Sequence, residues 1–195
     1  MMNILKLTFL TACLVVCGAV QPSTSTAGES PSDNSKQPMA DPLVTDGIID
    51  APVDAVWAAF TTKEGQESWN VAHAEIELKI GGKMRTHYDA KGRIGDPNTI
   101  ENSILSFEPK RMLSIQVTNP PEKFPFKDAV KNMWTVIYFA DAGPGRTRLR
   151  IVGLGFGNDE DSQKLRGFFD KGNAYTLKKL QEKFAGKGGK NAPPG

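Results

Sequence analysis

Two histidines, three tyrosines and a scatter of carboxylates could do acid–base chemistry in this chain, and their spacing argues against most of it. His73 and His87 are the only histidines. They stand far apart in the chain with no cysteine near them, so the ligand spacing of a structural or catalytic zinc is missing. No metal and no cofactor is expected. His87 could work with Asp89 or Glu101 as a base and its orienting acid. Alternation sets His87 and Tyr88 on opposite faces, however. If Tyr88 faces inward, His87 is a solvent-side histidine, and that is the expectation. His73 follows Trp69 in a predicted loop, either in solvent or at a cavity mouth.

Gly153-Leu154-Gly155-Phe156-Gly157 resembles a phosphate-binding loop only superficially. It lacks the Lys-Ser/Thr of a nucleotide loop and the spacing of a dinucleotide fingerprint. It reads better as the junction feeding the last helix. There is no Gly-x-Ser-x-Gly elbow. Both cysteines, Cys13 and Cys17, fall in the first 20 residues. The sequence therefore names no catalytic residue.

The elements that must position these residues begin after a leader. Lys6 precedes an uncharged, mostly apolar run from Leu7 to Val20. That run is shorter than the roughly 20 apolar residues of a spanning helix and has the flanks of a secretory signal. Residues 1–19 are read as a signal peptide, which makes the protein exported, periplasmic or extracellular. A lipid on Cys17, tethering the domain to a membrane, is the alternative to simple cleavage. Residues 20–42 hold almost no large apolar side chains and are read as a disordered spacer. Residues 186–195 are read as a flexible tail. Residues 43–185 then form one domain with no cysteine, held by packing alone. The net charge of +2 and the lack of a basic stripe interleaved with aromatics argue against nucleic-acid binding. Oligomeric state is not legible.

Within the domain, Leu43 to Asp50 reads as a strand. Pro52 opens a helix with Val53, Val56, Trp57 and Phe60 on one face. Thr61 and Glu64 suggest a capping box for a second short helix. Ala74, Ile76, Leu78 and Ile80 alternate with charged residues, as in a half-buried strand. Gly81-Gly82 is the expected tight turn. Met84, Thr86 and Tyr88 share one face of the next strand. Strands are also expected over Thr99–Phe107, around Leu113–Val117, over Ala129–Phe139 and at Leu149–Ile151. Asp159 to Phe184 has helical periodicity, with acidic residues suited to its start. Gly167 and Gly172 each cost it about 1 kcal/mol. The fold class is α+β. A curved antiparallel sheet needs cover, the long helix is the element large enough to give it, and the space between is the natural ligand site.

The chain resembles the START-like, Bet v 1-like (SRPBCC) superfamily. Within it, it is similar to domains like the activator of the ninety-kilodalton heat-shock chaperone's ATPase. The resemblance rests on Ile49-Asp50-Ala51-Pro52-Val53-Asp54-Ala55-Val56-Trp57-Ala58-Ala59-Phe60-Thr61, on Trp69, and on Ile80-Gly81-Gly82-Lys83-Met84. Ile104 to Leu113 and Gly145 to Ile151 support it, as does the last helix. It implies a helix-grip fold: about seven antiparallel strands around a long C-terminal helix, with two short helices after the first strand. It also implies an apolar small molecule or lipid in the cavity. A cyclase- or dehydratase-like enzyme and an envelope-chaperone or protein-interaction domain are the alternatives. A cytoplasmic co-chaperone role conflicts with the leader. The excursion from Pro120 to Asp128 departs from the shortest members.

On this reading the cavity is lined by Met84, Tyr88, Ile115, Trp134, Leu149 and Ile151 from the strands. Phe168, Phe169 and Tyr175 face them from the helix. Ordinary core packing is the alternative for each. Tyr88 is the preferred polar contact, because a buried tyrosine hydroxyl needs a partner.

Overall fold

A computed structural model describes residues 40–185. The signal peptide, most of the spacer, Cys17 and the 186–195 tail lie outside the described residues. Seven strands form one antiparallel sheet: β1 (Leu43–Ile49), β2 (His73–Ile76), β3 (Lys83–His87), β4 (Ile100–Glu108), β5 (Met112–Asn119), β6 (Trp134–Asp141) and β7 (Thr147–Leu154). Their order is β1-β7-β6-β5-β4-β3-β2. Two short helices, α1 (Val53–Thr61) and α2 (Lys63–Glu67), follow β1, and a long helix α3 (Glu160–Ala185) ends the domain. This is the helix-grip fold.

Pro52 caps α1, and Val56, Trp57, Ala59 and Phe60 are buried on its inner face. Trp57 and Phe60 meet Phe139 edge-on at 5.2 and 5.6 Å, and the Trp69 indole donates to the Ala59 carbonyl. The cap of α2 is Thr62, not Thr61: the Thr62 hydroxyl accepts from the Gly65 N–H at 2.9 Å. Thr61 is the last residue of α1 and donates to the Trp57 carbonyl. Helix α3 starts at Asp159, whose carboxylate accepts from the Ser162 N–H and hydroxyl. These bonds hold its pKa below the ordinary aspartate value against the opposing effect of burial.

Two sequence expectations about strands fail for local reasons. The strand through Ile80 stops at Ile76, because the chain turns back through Gly81 at φ +74°. A side chain at Gly82 would overlap the Glu77 carbonyl. Ile80 is 74% exposed as a result. Ala129–Asn132 is one turn of 3-10 helix rather than strand, which buries Val130 and Met133 on the same side, three residues apart. In β4 a bulge at Leu105 turns that side chain outward, so that Ile104 and Phe107 both face in.

The core has two parts. One joins α1, the inner faces of β3–β7, and Leu180 and Phe184 of α3. The other joins Leu43, Val130, Met133 and Phe156 to Leu165 near the start of α3. Helix α3 is therefore fastened at both ends.

Candidate functional site

The middle of α3 is not fastened in the same way. Its chief packing partners are β1 and the 3-10 turn. On the β1 side the approach is close: a β-carbon on Gly47 would meet Leu177 Cδ2 at 2.7 Å. Along the inward face, Leu165, Phe169, Leu177, Leu180 and Phe184 are joined by Asn173 and Thr176, both half-buried, and Leu177 packs against the main core. Beneath them the sheet offers Thr135, which pairs with Gly153 and with Ile115. None of these three polar side chains has a hydrogen-bond partner among the described residues. Half-buried polar groups without protein partners are solvated, so water reaches this interval.

One flank of α3 carries Phe168, Gly172, Tyr175 and Lys179, at i, i+4, i+7 and i+11. Phe168 is 51% exposed and Tyr175 64%. A β-carbon on Gly172 would meet nothing within 4 Å. Phe168 stacks edge-on against Phe124 and Phe169, at 5.5 and 5.8 Å, and Phe126 lies at 6.3 Å. The Pro120–Asp128 excursion thus closes one end of the interval with aromatic rings. Tyr88, just past β3, is 62% exposed. Yet its pKa is raised, first by desolvation and then by the neighbouring Tyr175 hydroxyl. At the centre of α3, exposed aromatic side chains thus stand beside half-buried polar ones.

The expected cavity residues divide accordingly. Met84, Leu149 and Ile151 are buried in the main core, and Ile115 is half-buried against it. Phe169 packs against the second core. Phe168 and Tyr175 stand on the exposed flank of α3. Tyr88 is not a buried inner-face residue: β3 ends at His87, so the alternation that placed Tyr88 inward lapses. Trp134 is not inward at all. It pairs with Leu154 in the row that carries Tyr138, Arg150 and Arg148 on the outer face, and its ring covers Gly155. The residues here missed by sequence reasoning are Asn173, Thr176, Thr135 and Lys179.

His87 also departs from expectation. It lies on the outer face but is only 2% exposed, because the segment from Tyr88 to Thr99 folds over it. Its Nε2 donates to Asp96 Oδ1 at 2.9 Å, and its Nδ1 accepts from the Asp89 N–H at 3.1 Å. The acid beside it is Asp96, not Asp89 or Glu101. Burial alone would raise the Asp96 pKa, but the Arg93 and Asn98 N–H groups and His87 bring it below the ordinary value. Glu101 is engaged by Lys83 at 2.6 Å and Arg85 at 3.0 Å, which hold its pKa low against burial. The His87 ring has both nitrogens occupied and no open face, so this pair clasps a loop rather than serving a substrate. His73, its strand partner, reaches the Ala90 carbonyl at 3.2 Å. Among the described residues no group of three His, Cys, Asp or Glu is placed to hold a metal. No helix among them is long and apolar enough to cross a membrane.

Two surface depressions, of about 410 and 280 Å³, lie by the two ends of α3. The first is lined by Ala40, Asp41, Asn158, Gln163 and Arg166, the second by residues of β1 and the end of α3. Neither includes an expected cavity residue.

Solved structures share the fold. A protein from Mesorhizobium loti is 20% identical, with 75% of this chain and 98% of that one covered at a TM-score of 0.59. The Aha1 dimer from Colwellia psychrerythraea is 13% identical, with 77% and 99% covered at 0.59. CalU16 from Micromonospora echinospora is 21% identical, with 78% and 77% covered at 0.53. At these identities the likeness speaks for the fold alone. No curated protein matches the sequence. The family model described as activator of Hsp90 ATPase homolog 1-like protein matches residues 50–185. The chain therefore belongs to that family, within the helix-grip (SRPBCC) superfamily.

Proposed function

We propose that this chain is an exported, noncatalytic domain that holds a small molecule of largely apolar body in the groove between its sheet and α3. One observation carries the reading. The long helix is fastened by apolar cores at its two ends, while at its centre the exposed Phe168 and Tyr175 and the half-buried, unpartnered Asn173 and Thr176 accompany one apolar contact, that of Leu177. A helix whose only task was to cover the sheet would bury apolar side chains along its whole inward face. The buried acid–base pair, His87 and Asp96, lies on the other face of the sheet, so the groove has no positioned acid or base from it. Export rests on the leader alone.

The test is native mass spectrometry of the purified full chain, followed by titration with the neutral probe N-phenyl-1-naphthylamine. A co-purifying apolar metabolite or micromolar probe binding is expected. Gly172→Trp, which puts an indole into the open space beside α3, is expected to abolish probe binding while the protein stays folded. No ligand, no probe binding, or equal binding in Gly172→Trp sinks the groove reading. For export, the protein recovered from the host should start near Val20 and lie outside the cytoplasm. A lipid mass on Cys17 would mark the tethered form. Intact Met1 in the cytoplasm would end that part of the proposal.

A protein-interaction role is the second reading, favoured by the exposed Phe168 and its neighbours Phe124 and Phe126. It predicts that the same surface binds a folded partner and not the probe.

A further inference from the structure

The solvent face of α3 has a pattern of its own. Lys164, Phe168, Lys171, Tyr175, Lys178 and Glu182 follow one another at steps of four and three residues, so they form one stripe along the helix. All six are exposed. Lys179 borders the stripe, its ammonium 5.7 Å from the centre of the Tyr175 ring. Between Ser162 and Gln181 the only carboxylate is Asp170, about a third of a turn round the helix from the stripe. Glu160 and Glu182 stand at the two ends, 2.6 Å from Lys164 and 3.8 Å from Lys178. Exposed pairs of this kind hold weakly and rearrange readily.

The arginines at and just before β7 are balanced differently: Arg146 meets Asp50, and Arg148 and Arg150 meet Asp46. The same imbalance runs through the whole chain. From Lys164 onward it holds eight Lys and Arg against two carboxylates, a net of +6, so the residues before Lys164 sum to −4 in a chain of +2. Seven of those eight cations are lysines. Lysine ammoniums interleaved with exposed rings suit an anionic layer over an apolar interior. Their stems lie along the surface with the charge on phosphate, and the rings settle at head-group depth. A second copy of the same face would set lysine against lysine.

We propose that this face of α3 docks on an anionic lipid bilayer, the helix lying along the surface with Lys164, Lys171, Lys178 and Lys179 on phosphate and Phe168 and Tyr175 among the head groups. From Lys164 to Lys178 the stripe is about 21 Å long at 1.5 Å per residue.

The experiment is co-sedimentation of the full chain with large vesicles of phosphatidylcholine alone or mixed equally with phosphatidylglycerol, in 0.1 M salt. Binding is expected to be at least tenfold stronger on the anionic vesicles and to fall in 0.5 M salt. Any attachment through the apolar run Leu7–Val20 would be equal on both and indifferent to α3. Lys171→Gln should weaken anionic binding about fivefold, Lys171→Gln with Lys178→Gln about 25-fold, and Lys171→Arg not at all. The emission of Phe168→Trp should shift to the blue on anionic vesicles more than that of the native protein. The double variant should keep its affinity for N-phenyl-1-naphthylamine, which separates this face from the groove. Equal binding to the two vesicle types, or an anionic preference that survives the double variant, overturns the proposal. So does single-stranded DNA or a folded protein that binds as tightly and answers to the same variants. A Phe168→Trp emission that does not move overturns the placement of the rings.

Discussion

Replacing Phe168 and Leu180 by alanine, one at a time, separates the part of α3 that holds the domain together from the part that is open. Leu180 is 0% exposed and belongs to the main core. Its truncation removes the transfer energy of the lost carbons and leaves a cavity, so about 3 kcal/mol of stability should go. Phe168 is 51% exposed. Full burial of such a ring is worth about 3 kcal/mol at most, so half of it gives about 1.5. Its edge contacts with Phe124 and Phe169 add a few tenths of that scale, since both partners keep other neighbours. The expected loss is thus about 1.5–2 kcal/mol, clearly below that for Leu180. Binding should rank the other way. Phe168→Ala removes one wall of the groove and should weaken N-phenyl-1-naphthylamine about tenfold, whereas Leu180→Ala should leave the affinity of the folded fraction within about twofold. Urea unfolding followed by tryptophan fluorescence gives the first ranking, and probe titration in the absence of urea gives the second. If Phe168→Ala costs as much stability as Leu180→Ala, the ring is core and not rim. If it keeps full probe affinity, the groove is not where the probe goes.

Gly92→Ala should destabilise by about 1–3 kcal/mol, because the new methyl would overlap a His87 ring held on both nitrogens; Gly172→Ala, with open space around it, should gain up to about 1 kcal/mol. Paired thermal melts decide it, and equal shifts of the same sign would contradict the packing. Glu101 has its pKa depressed below the ordinary glutamate value of 4.5, first by the Lys83 hydrogen bond. Its contribution is therefore present above about pH 4.5 and lost as pH falls through the lower folded value. Glu101→Gln should cost about 1 kcal/mol or less at pH 6, and the gap from the native protein should close toward pH 3; a gap that widens in acid would be the wrong sign. Thr147 is fully buried and donates to the Ala51 carbonyl at 2.7 Å. Thr147→Val should cost about 1–2 kcal/mol in urea denaturation by leaving that carbonyl unpaired, while Thr147→Ser should recover most of it.

The helix-grip architecture was legible because its signals are local and repeated. Val53, Val56, Trp57 and Phe60 mark a helix face, Leu149 and Ile151 a strand, and a 26-residue helix is hard to miss in an apolar period near 3.6. Where the reading failed, a single residue shifted the phase. Gly81 ended a strand that alternation alone would have continued through Ile80. Trp134 was assigned inward on its hydrophobicity, whereas strand parity places it with Arg148 and Arg150. A tryptophan can cover an outer-face glycine as well as fill a core. His87 was assigned correctly to the outer face but wrongly to solvent, because no periodicity reports a loop folding back over a sheet. The only signal was the cluster of turn formers from Asp89 to Pro97.

The groove was legible in a different way, as a gap in a pattern. Reading α3 for its apolar residues selects Phe168 and Tyr175, which are conspicuous, and sets them on the core face. Reading it for the inward positions gives Leu165, Phe169, Asn173, Thr176, Leu177, Leu180 and Phe184. The two polar residues fall in the middle of the series, where the helix is farthest from both cores. Apolar side chains there would close the helix onto the sheet, at about 25 cal/mol for each Å² removed from water. Polar ones forgo that gain and keep the centre wet. Asn173→Leu with Thr176→Val should therefore raise the stability of the domain by about 1–3 kcal/mol and abolish probe binding. Unchanged binding alongside the added stability would mean that the centre of α3 does not line the site.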